Sequence, residues 1–219
     1  MPRLDTVLVL LLAMPAPTFA TAQPVRNTAE RISDRRQIAL DRTWAERDAR
    51  EVQEFQRLTN ALKDAYRDRM NARYSEVNEC VLQAMSRETE QAEVKTAQAA
   101  REARMSRREW RDERMEANVT GSARDQLQAA DDRHDLRDDR RDRDTAALRH
   151  DDMVRIGTEA GALQNDIARG NRSAMRRNVS LAEDFLGVMQ RDLAATQAER
   201  AEDRAELRED RRESRTDRR

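Results

Sequence analysis

Acidic side chains crowd around one histidine between residues 131 and 139, where the sequence first suggests chemistry. His134 and Asp138 are four residues apart, a spacing that presents two ligands for a divalent ion on one face of a helix. Arginines are interleaved throughout the same stretch, and their positive charge lowers the affinity for a cation. We therefore predict no metal site and no other cofactor, and we keep cation sequestration by residues 131–152 as an alternative. The candidate ligands in the first part of this stretch are Asp131, Asp132, His134, Asp135, Asp138 and Asp139.

The single cysteine, Cys80, cannot form a disulfide within the chain. Thiols usually pair in an oxidising compartment, so Cys80 is a candidate for an intermolecular disulfide between two copies. The alternative is a partly buried helical cysteine that packs as a small hydrophobic side chain. A catalytic thiol would need a histidine placed beside it, and only His134 and His150 are available.

Catalytic motifs are missing from the sequence. It contains no glycine-rich phosphate loop, no nucleophile elbow, no HExxH and no CxxC. The five glycines are scattered singly, in positions typical of helix ends or packing points. We therefore predict a protein that is not an enzyme and has no catalytic residues.

In three segments, acidic and basic residues fall on opposite faces of the predicted helix. These segments are 101–116, 131–143 and 199–219. Like charges four residues apart repel by about 0.2–0.5 kcal/mol within one helix, but an acidic stripe on one helix attracts a basic stripe on another. We predict that the last two segments neutralise each other and that the first one orients a partner molecule. The alternative is that all three are solvated faces. The arginines of the first segment are Arg104, Arg107, Arg108, Arg111 and Arg114.

Proline is absent after Pro24, and 39% of the residues are charged. Proline costs about 3 kcal/mol inside a helix, whereas Ala, Arg, Glu, Gln, Met and Leu are the best helix formers. The sequence therefore predicts an all-α protein of long helices, either coiled-coil-like or an extended helical bundle, with a C-terminal αα-hairpin.

Helix terminators divide the chain. Gly121 can end a helix and Ser122 can begin the next one, with Asp125 as a capping partner. A second helix should end at Gly170 and a third should begin near residue 173, which predicts the hairpin. We expect a long helical segment at 23–120 and a helical hairpin with a charge-striped tail at 121–219. Whether residues 28–119 form one helix or fold back near 71–75 stays open.

Four apolar residues in the first segment are spaced by eleven, which is three helical turns. They are Trp44, Phe55, Tyr66 and Val77. A period of eleven keeps a stripe nearly straight along a helix. We predict that this stripe carries the apolar contact with a partner, and the alternative is the core face of a bundle helix.

Residues 1–22 resemble a secretory signal peptide. An apolar run follows Arg3 and is about half as long as a helix that spans a bilayer, and small residues precede Gln23. We expect cleavage after Ala22 and a periplasmic or secreted location, with an uncleaved N-terminal anchor as the alternative. No later segment is apolar enough to span a membrane.

The composition excludes two broad classes of function. The 42 basic and 43 acidic residues give a net charge of −1, so no net field attracts nucleic acid or an anionic membrane. We predict an exported scaffold or partner-binding protein that acts through coiled-coil faces and complementary charge stripes. Its expected partner is itself, as a homo-oligomer, or another helical protein. The alternative is a periplasmic chaperone-like or stress-related helical binding protein.

Overall fold

The computed structural model describes the backbone of residues 23–216 and the side chains of residues 43–201, Arg204, Ala205 and Arg208. Across this range the chain forms five α-helices and no strand, which confirms the all-α prediction. The predicted signal peptide, residues 1–22, lies outside the described residues. The helices are α1 (Gln23–Arg67), α2 (Asn71–Thr120), α3 (Ala123–Ala162), α4 (Gln164–Ala168) and α5 (Arg172–Thr216).

The four long helices pack side by side, and each runs opposite to the one before it. The longest, α2, has 50 residues, which corresponds to about 75 Å. It packs against α1 and α3, and α5 completes the bundle by packing against the same two helices. The side chain of Arg87 reaches Glu54 across the α1–α2 contact, and Lys63 reaches Glu183 across the α1–α5 contact. The predicted helical bundle and its C-terminal hairpin of α3 and α5 are confirmed.

The segment before Gly121 folds back once, at residues 68–70, so it forms two helices. Arg69 has a φ of 61°, and the Met70 N–H donates to the Ala65 carbonyl at 3.0 Å. This is a Schellman-type helix end, whose left-handed residue is usually glycine. A side chain in that conformation costs about 1–2 kcal/mol. Because arginine occupies the position, the sequence carries no glycine or proline signal for this turn.

The turn between α2 and α3 lies where the glycine predicts a helix end. Gly121 has a φ of 63° and donates its N–H to the Ala117 carbonyl. Ser122 begins α3 by accepting a hydrogen bond from the Arg124 N–H at 3.2 Å. The carboxylate of Asp125 does not complete a reciprocal cap, because it accepts a hydrogen bond from the Thr120 hydroxyl instead. Side chains from both helices therefore close this turn.

The second helix, which was predicted to end at Gly170, is interrupted at Leu163. α3 ends at Ala162, and the short α4 then places Ile167 in the core with 3% of its surface exposed. Gly157 and Gly161 occupy the last turns of α3. Each weakens a helix by roughly 0.5–1 kcal/mol relative to alanine, which favours a break at this point.

The final helix begins after a glycine-asparagine pair. Gly170 has a φ of 79°, and the Asn171 side chain accepts hydrogen bonds from the N–H groups of Ser173 and Ala174 at 3.0 and 3.3 Å. This N-cap ends the loop and begins α5, as predicted. α5 then continues through Asn178 without interruption.

The apolar core lies in the half of the bundle that is closed by the turns at 68–70 and 169–171. The rings of Phe55 and Phe185 meet there with centroids 5.2 Å apart. Towards the turn at Gly121, the described apolar core residues are Ala103, Ala117 and Leu136, and none of them is aromatic. No helix in the described part of the chain has an apolar stretch long enough to cross a membrane. The largest fully buried side chains are Tyr74, Phe55, Phe185, Leu62, Met85, Ile156, Met175, Leu181, Val81 and Val188.

Candidate functional site

Four charged side chains, one from each long helix, meet inside the bundle. Lys95 Nζ of α2 lies 2.6 Å from Asp48 Oδ2 of α1 and 2.5 Å from Asp192 Oδ2 of α5. Arg149 Nη1 of α3 lies 3.2 Å from the other oxygen of Asp192. Two cations thus face two carboxylates. We call these four residues the central ion cluster.

Lys95 is held in its protonated form. Burial lowers its pKa, but the carboxylates of Asp192 and Asp48 raise it by more, so that the net shift is upward. A protonated lysine between two carboxylates has no lone pair to act as a base or nucleophile. The central ion cluster therefore neutralises itself and joins the four helices.

A small pocket beside the central ion cluster contains a carboxyl group that titrates near neutrality. The pocket is lined by Glu88, Gln91 and Met153 as well as by cluster residues, and it has room for about one water molecule. Burial, followed by the charges of Glu51 and Asp48, raises the pKa of Glu88 to about 7. The pocket is too small to admit an organic substrate, but Glu88 can exchange a proton there.

A second polar group is buried between α2 and α5. The Tyr74 hydroxyl donates to the Met175 carbonyl at 2.9 Å, and Asn178 Nδ2 donates to Tyr74 Oη at 3.0 Å and to Asn78 Oδ1 at 2.7 Å. Burial raises the pKa of Tyr74 to about 12, so the hydroxyl remains a donor. Sequence reasoning missed this network. The available signal was an asparagine at a core position of each helix, a device that fixes register in helical bundles.

The acidic stretch at 131–139 does not converge on one point. His134 Nδ1 lies 2.8 Å from Asp138 Oδ2, but the Arg141 guanidinium binds the same carboxylate at 2.8 Å. The His134 side chain is 74% exposed. Among the residues that the structure describes, no group of three or more His, Cys, Asp or Glu side chains is arranged to hold a metal ion.

The residues spaced by eleven do not form one exposed stripe. Phe55 is 1% exposed and packs on Phe185, so its contacts are made within the chain. Tyr66 is half-buried beneath the Arg172 guanidinium, 3.8 Å from its ring centroid. Trp44 is also half-buried, as is Val77, which lies beyond the turn on α2. Their role in binding a partner stays a prediction.

The predicted arginines and the cysteine all lie on the surface of α2. Arg104, Arg107, Arg108, Arg111 and Arg114 are exposed. Arg114 also lies over the ring of Trp110, 5.3 Å from its centroid. The thiol of Cys80 is exposed and free, and its disulfide with a second copy stays a prediction.

A line of exposed residues on α2 runs between the arginines. Its apolar members are Val94, Met105, Met115 and Val119. The residues along it are three, four or seven positions apart, which keeps them on one side of the helix. Sequence reasoning identified the arginines but missed this line, whose signal was a second heptad pattern opposite the core-facing one. We call it the α2 outer face, and it consists of Val94, Arg101, Met105, Arg108, Asp112, Met115 and Val119.

No protein-family model, curated protein or solved structure matches this chain. Its function therefore has to be inferred from its own residues. The charges of the central ion cluster are neutralised inside the bundle, whereas the α2 outer face presents apolar side chains to the surroundings.

Proposed function

We propose that this protein is an exported, non-enzymatic helical scaffold that binds another helical protein through the α2 outer face. The observation that carries the proposal is the exposure of Val94 at 62%, Met105 at 56%, Met115 at 61% and Val119 at 87%. All four lie on one side of one helix. A helix with heptad-spaced apolar residues on two sides suits two packing contacts, one with its own bundle and one with a partner.

Apolar burial and charge would play different parts in this contact. Removing the four apolar side chains from water contributes at most about 1.5–3 kcal/mol each. An exposed ion pair contributes about 0–1 kcal/mol. Affinity would therefore depend on Val94, Met105, Met115 and Val119, and the neighbouring arginines would set the orientation of the partner.

Photo-crosslinking in the cells that make the protein tests this proposal. A photoreactive phenylalanine analogue replaces Met105 or Met115, and the matched control replaces Asp184, an exposed residue of α5. We expect adducts from positions 105 and 115 and none from position 184. Mass spectrometry of the adduct then identifies the attached chain and the residue that the label reached.

The outcomes test the use of the α2 outer face separately from the identity of its partner. Adducts that join position 105 or 115 to a helix of any one protein support a scaffold that uses the α2 outer face. Equal labelling from position 184, or no adduct from positions 105 and 115, overturns the proposal. The identity of the attached protein decides a separate question, which is whether the partner is a second copy of this chain.

A chaperone-like role is the second candidate, and the two exposed methionines favour it. Methionine is flexible and polarizable, and it is common on surfaces that accept many different partners. If Met105 and Met115 serve such a role, the protein suppresses aggregation of a chemically denatured model enzyme. The variant M105E/M115E should then lose that suppression while keeping its helical circular dichroism. Aggregation at the same rate with and without the protein excludes this role.

A further inference from the structure

We infer that the partner of the α2 outer face, from Arg101 to Val119, is a second copy of this chain, docked antiparallel with its two-fold axis level with residue 110. This inference rests on the proposed function, because it assigns an occupant to the same face. Its basis is a charge pattern in α2 that is complementary to itself when reversed.

Residues 104–116 read RMSRREWRDERME. When two such segments run in opposite directions and are centred on Trp110, Arg104 meets Glu116 and Arg108 meets Asp112. Met105 meets Met115 in the same alignment. Each of these contacts occurs twice, since a two-fold interface uses the same patch of both copies. The reversed segment thus offers an opposite charge to each of these charges and an apolar side chain to each methionine.

The parallel arrangement does not share this property. In a parallel pair in register, Arg108 would face Arg108 of the other copy and Asp112 would face its own equivalent. Like charges placed directly against each other in an interface are strongly unfavourable. The sequence of α2 therefore selects the antiparallel direction.

The exposed positions also have the spacing that an antiparallel coiled coil needs. From Arg101 to Val119 the α2 outer face advances by four, three, four, three and four residues, which is a heptad pattern. Reversal about residue 110 pairs the layers as Arg101 with Val119, Met105 with Met115 and Arg108 with Asp112. The aliphatic stem of Arg101 can cover Val119 while its guanidinium remains in water.

The charges at the centre of this contact are available to a partner. Arg108 and Asp112 are exposed, and within the described part of the chain neither forms an ion pair. Trp110 marks the level of the axis but lies half-buried beside Arg114 on another side of the helix. The contact therefore consists of two central ion pairs, with one Met105–Met115 layer and one Arg101–Val119 layer on each side of them.

Charge reversal in two separate variants tests the inference. R108D places two acidic residues against two acidic residues across the axis, and D112R places basic against basic. In the antiparallel pair, a chain carrying R108D and a chain carrying D112R complement each other again. We expect wild-type dimerisation to weaken at least about tenfold in each single variant, and a one-to-one mixture to recover it. The double variant R108D/D112R should recover it as well.

Light scattering coupled to size exclusion on residues 23–219 provides the readout, with circular dichroism as the check on folding. The matched control is R73D, at an exposed position near the other end of α2, which should dimerise like the wild type. Single variants that dimerise like the wild type overturn the inference. So does a mixture that stays monomeric while both variants are folded.

A wild-type chain that is monomeric at every concentration also overturns the inference, but it leaves the proposed function standing if photo-crosslinking at position 105 or 115 finds a different helical protein. A crosslink from position 105 of one copy to the neighbourhood of position 115 in another copy supports both. The inference can therefore fail while the proposed function stands.

Discussion

Lys95 and Lys63 are the only lysines in the sequence, and the bundle places them in opposite environments. Lys95 is 16% exposed between two carboxylates, whereas Lys63 and its partner Glu183 are each 47% exposed. The same residue type therefore forms one interior and one surface ion pair, which allows a direct comparison of their contributions to stability.

Replacing Lys95 by methionine should lower the free energy of unfolding by about 2–4 kcal/mol, because the carboxylates of Asp48 and Asp192 remain near each other without their shared cation. The matched control, Lys63→Met, removes a surface pair and should cost less than about 1 kcal/mol. Urea unfolding followed by circular dichroism measures both values. Equal losses of stability in the two variants would show that Lys95 in the central ion cluster contributes no more to stability than Lys63 does in a surface ion pair.

Glu88 links stability to pH in the neutral range. The ordinary pKa of its carboxyl group is 4.5, and burial followed by Glu51 and Asp48 raises it to about 7 in the folded protein. Between these values the folded state retains a proton that the unfolded chain has released. Stability therefore falls as pH rises from about 4.5 to about 7, and no further stability is lost above that range.

The variant Glu88→Gln should remove this loss. Because Glu88 is only partly buried, we expect the gain in unfolding free energy to be about 1–2 kcal/mol at pH 8 and close to zero at pH 4. Denaturant titrations at pH 4, 6 and 8 measure it, and Glu79→Gln at an exposed position of α2 is the control. A gain that is the same at all three pH values would contradict the role assigned to Glu88.

Most of this residue-scale detail was not predictable from the sequence. Aspartate and glutamate are so frequent that no pattern distinguishes Asp48 or Glu88 from their solvated neighbours. What distinguishes them is the meeting of four helices at one level of the bundle, and that depends on registers which the sequence does not state. The asparagines at 78 and 178 gave a weaker signal, because each interrupts a core-facing stripe.

At the scale of helices and turns, the presence of glycine decided which turns could be predicted from the sequence. Gly121 and Gly170 both adopt a positive φ at helix ends, and both ends were predicted from the sequence. The turn at Arg69 has the same left-handed geometry but no glycine, so the sequence left the fold-back open and pointed to 71–75. Local sequence therefore identifies a turn when the residue type matches its backbone conformation, and it fails where tertiary packing imposes the turn.

Arg69→Gly should raise the free energy of unfolding by about 0.5–1 kcal/mol, because glycine relieves the left-handed strain at some cost in unfolded-state entropy. The control Arg73→Gly introduces glycine at an exposed helical position and should lower stability by about 1 kcal/mol. Thermal unfolding of both variants gives the comparison. Destabilisation by Arg69→Gly would mean that the arginine side chain itself holds the turn.

The core-facing part of α1 is equally testable. Phe55→Ala removes a ring that is 1% exposed and should cost about 3–5 kcal/mol. The half-buried Trp44 lies in the same helix, and Trp44→Ala should cost less. If both variants lost the same stability and both lost assembly, Phe55 would act as a partner contact as well as a core residue.

At the scale of the whole molecule, the sequence predicted the class and the C-terminal hairpin, because missing proline and abundant helix formers leave few other structures. It left open whether residues such as Phe55 pack in the chain's own core or against a partner. Periodicity shows that a stripe will be buried, but a partner helix of the same chain and one of another chain leave the same pattern. The arrangement of four helices decides which stripe remains outside.

The antiparallel docking also bears on Cys80. With the axis level with residue 110, the two Cys80 thiols would lie about 90 Å apart along the dimer. A disulfide between the two copies is therefore incompatible with this dimer, and the two hypotheses are alternatives. Reductant should leave the dimer unchanged, and a dimer that separates on reduction would favour the disulfide.

The mass of residues 23–219 in solution, measured by light scattering across concentration and at low and high salt, tests the central claim most directly. We predict a dimer that dissociates more readily as salt increases, because ions screen the paired charges of Arg108 and Asp112. Reductant should not change the mass of this dimer. A monomer at every concentration, or a dimer that persists unchanged in high salt and separates with reductant, would contradict the account.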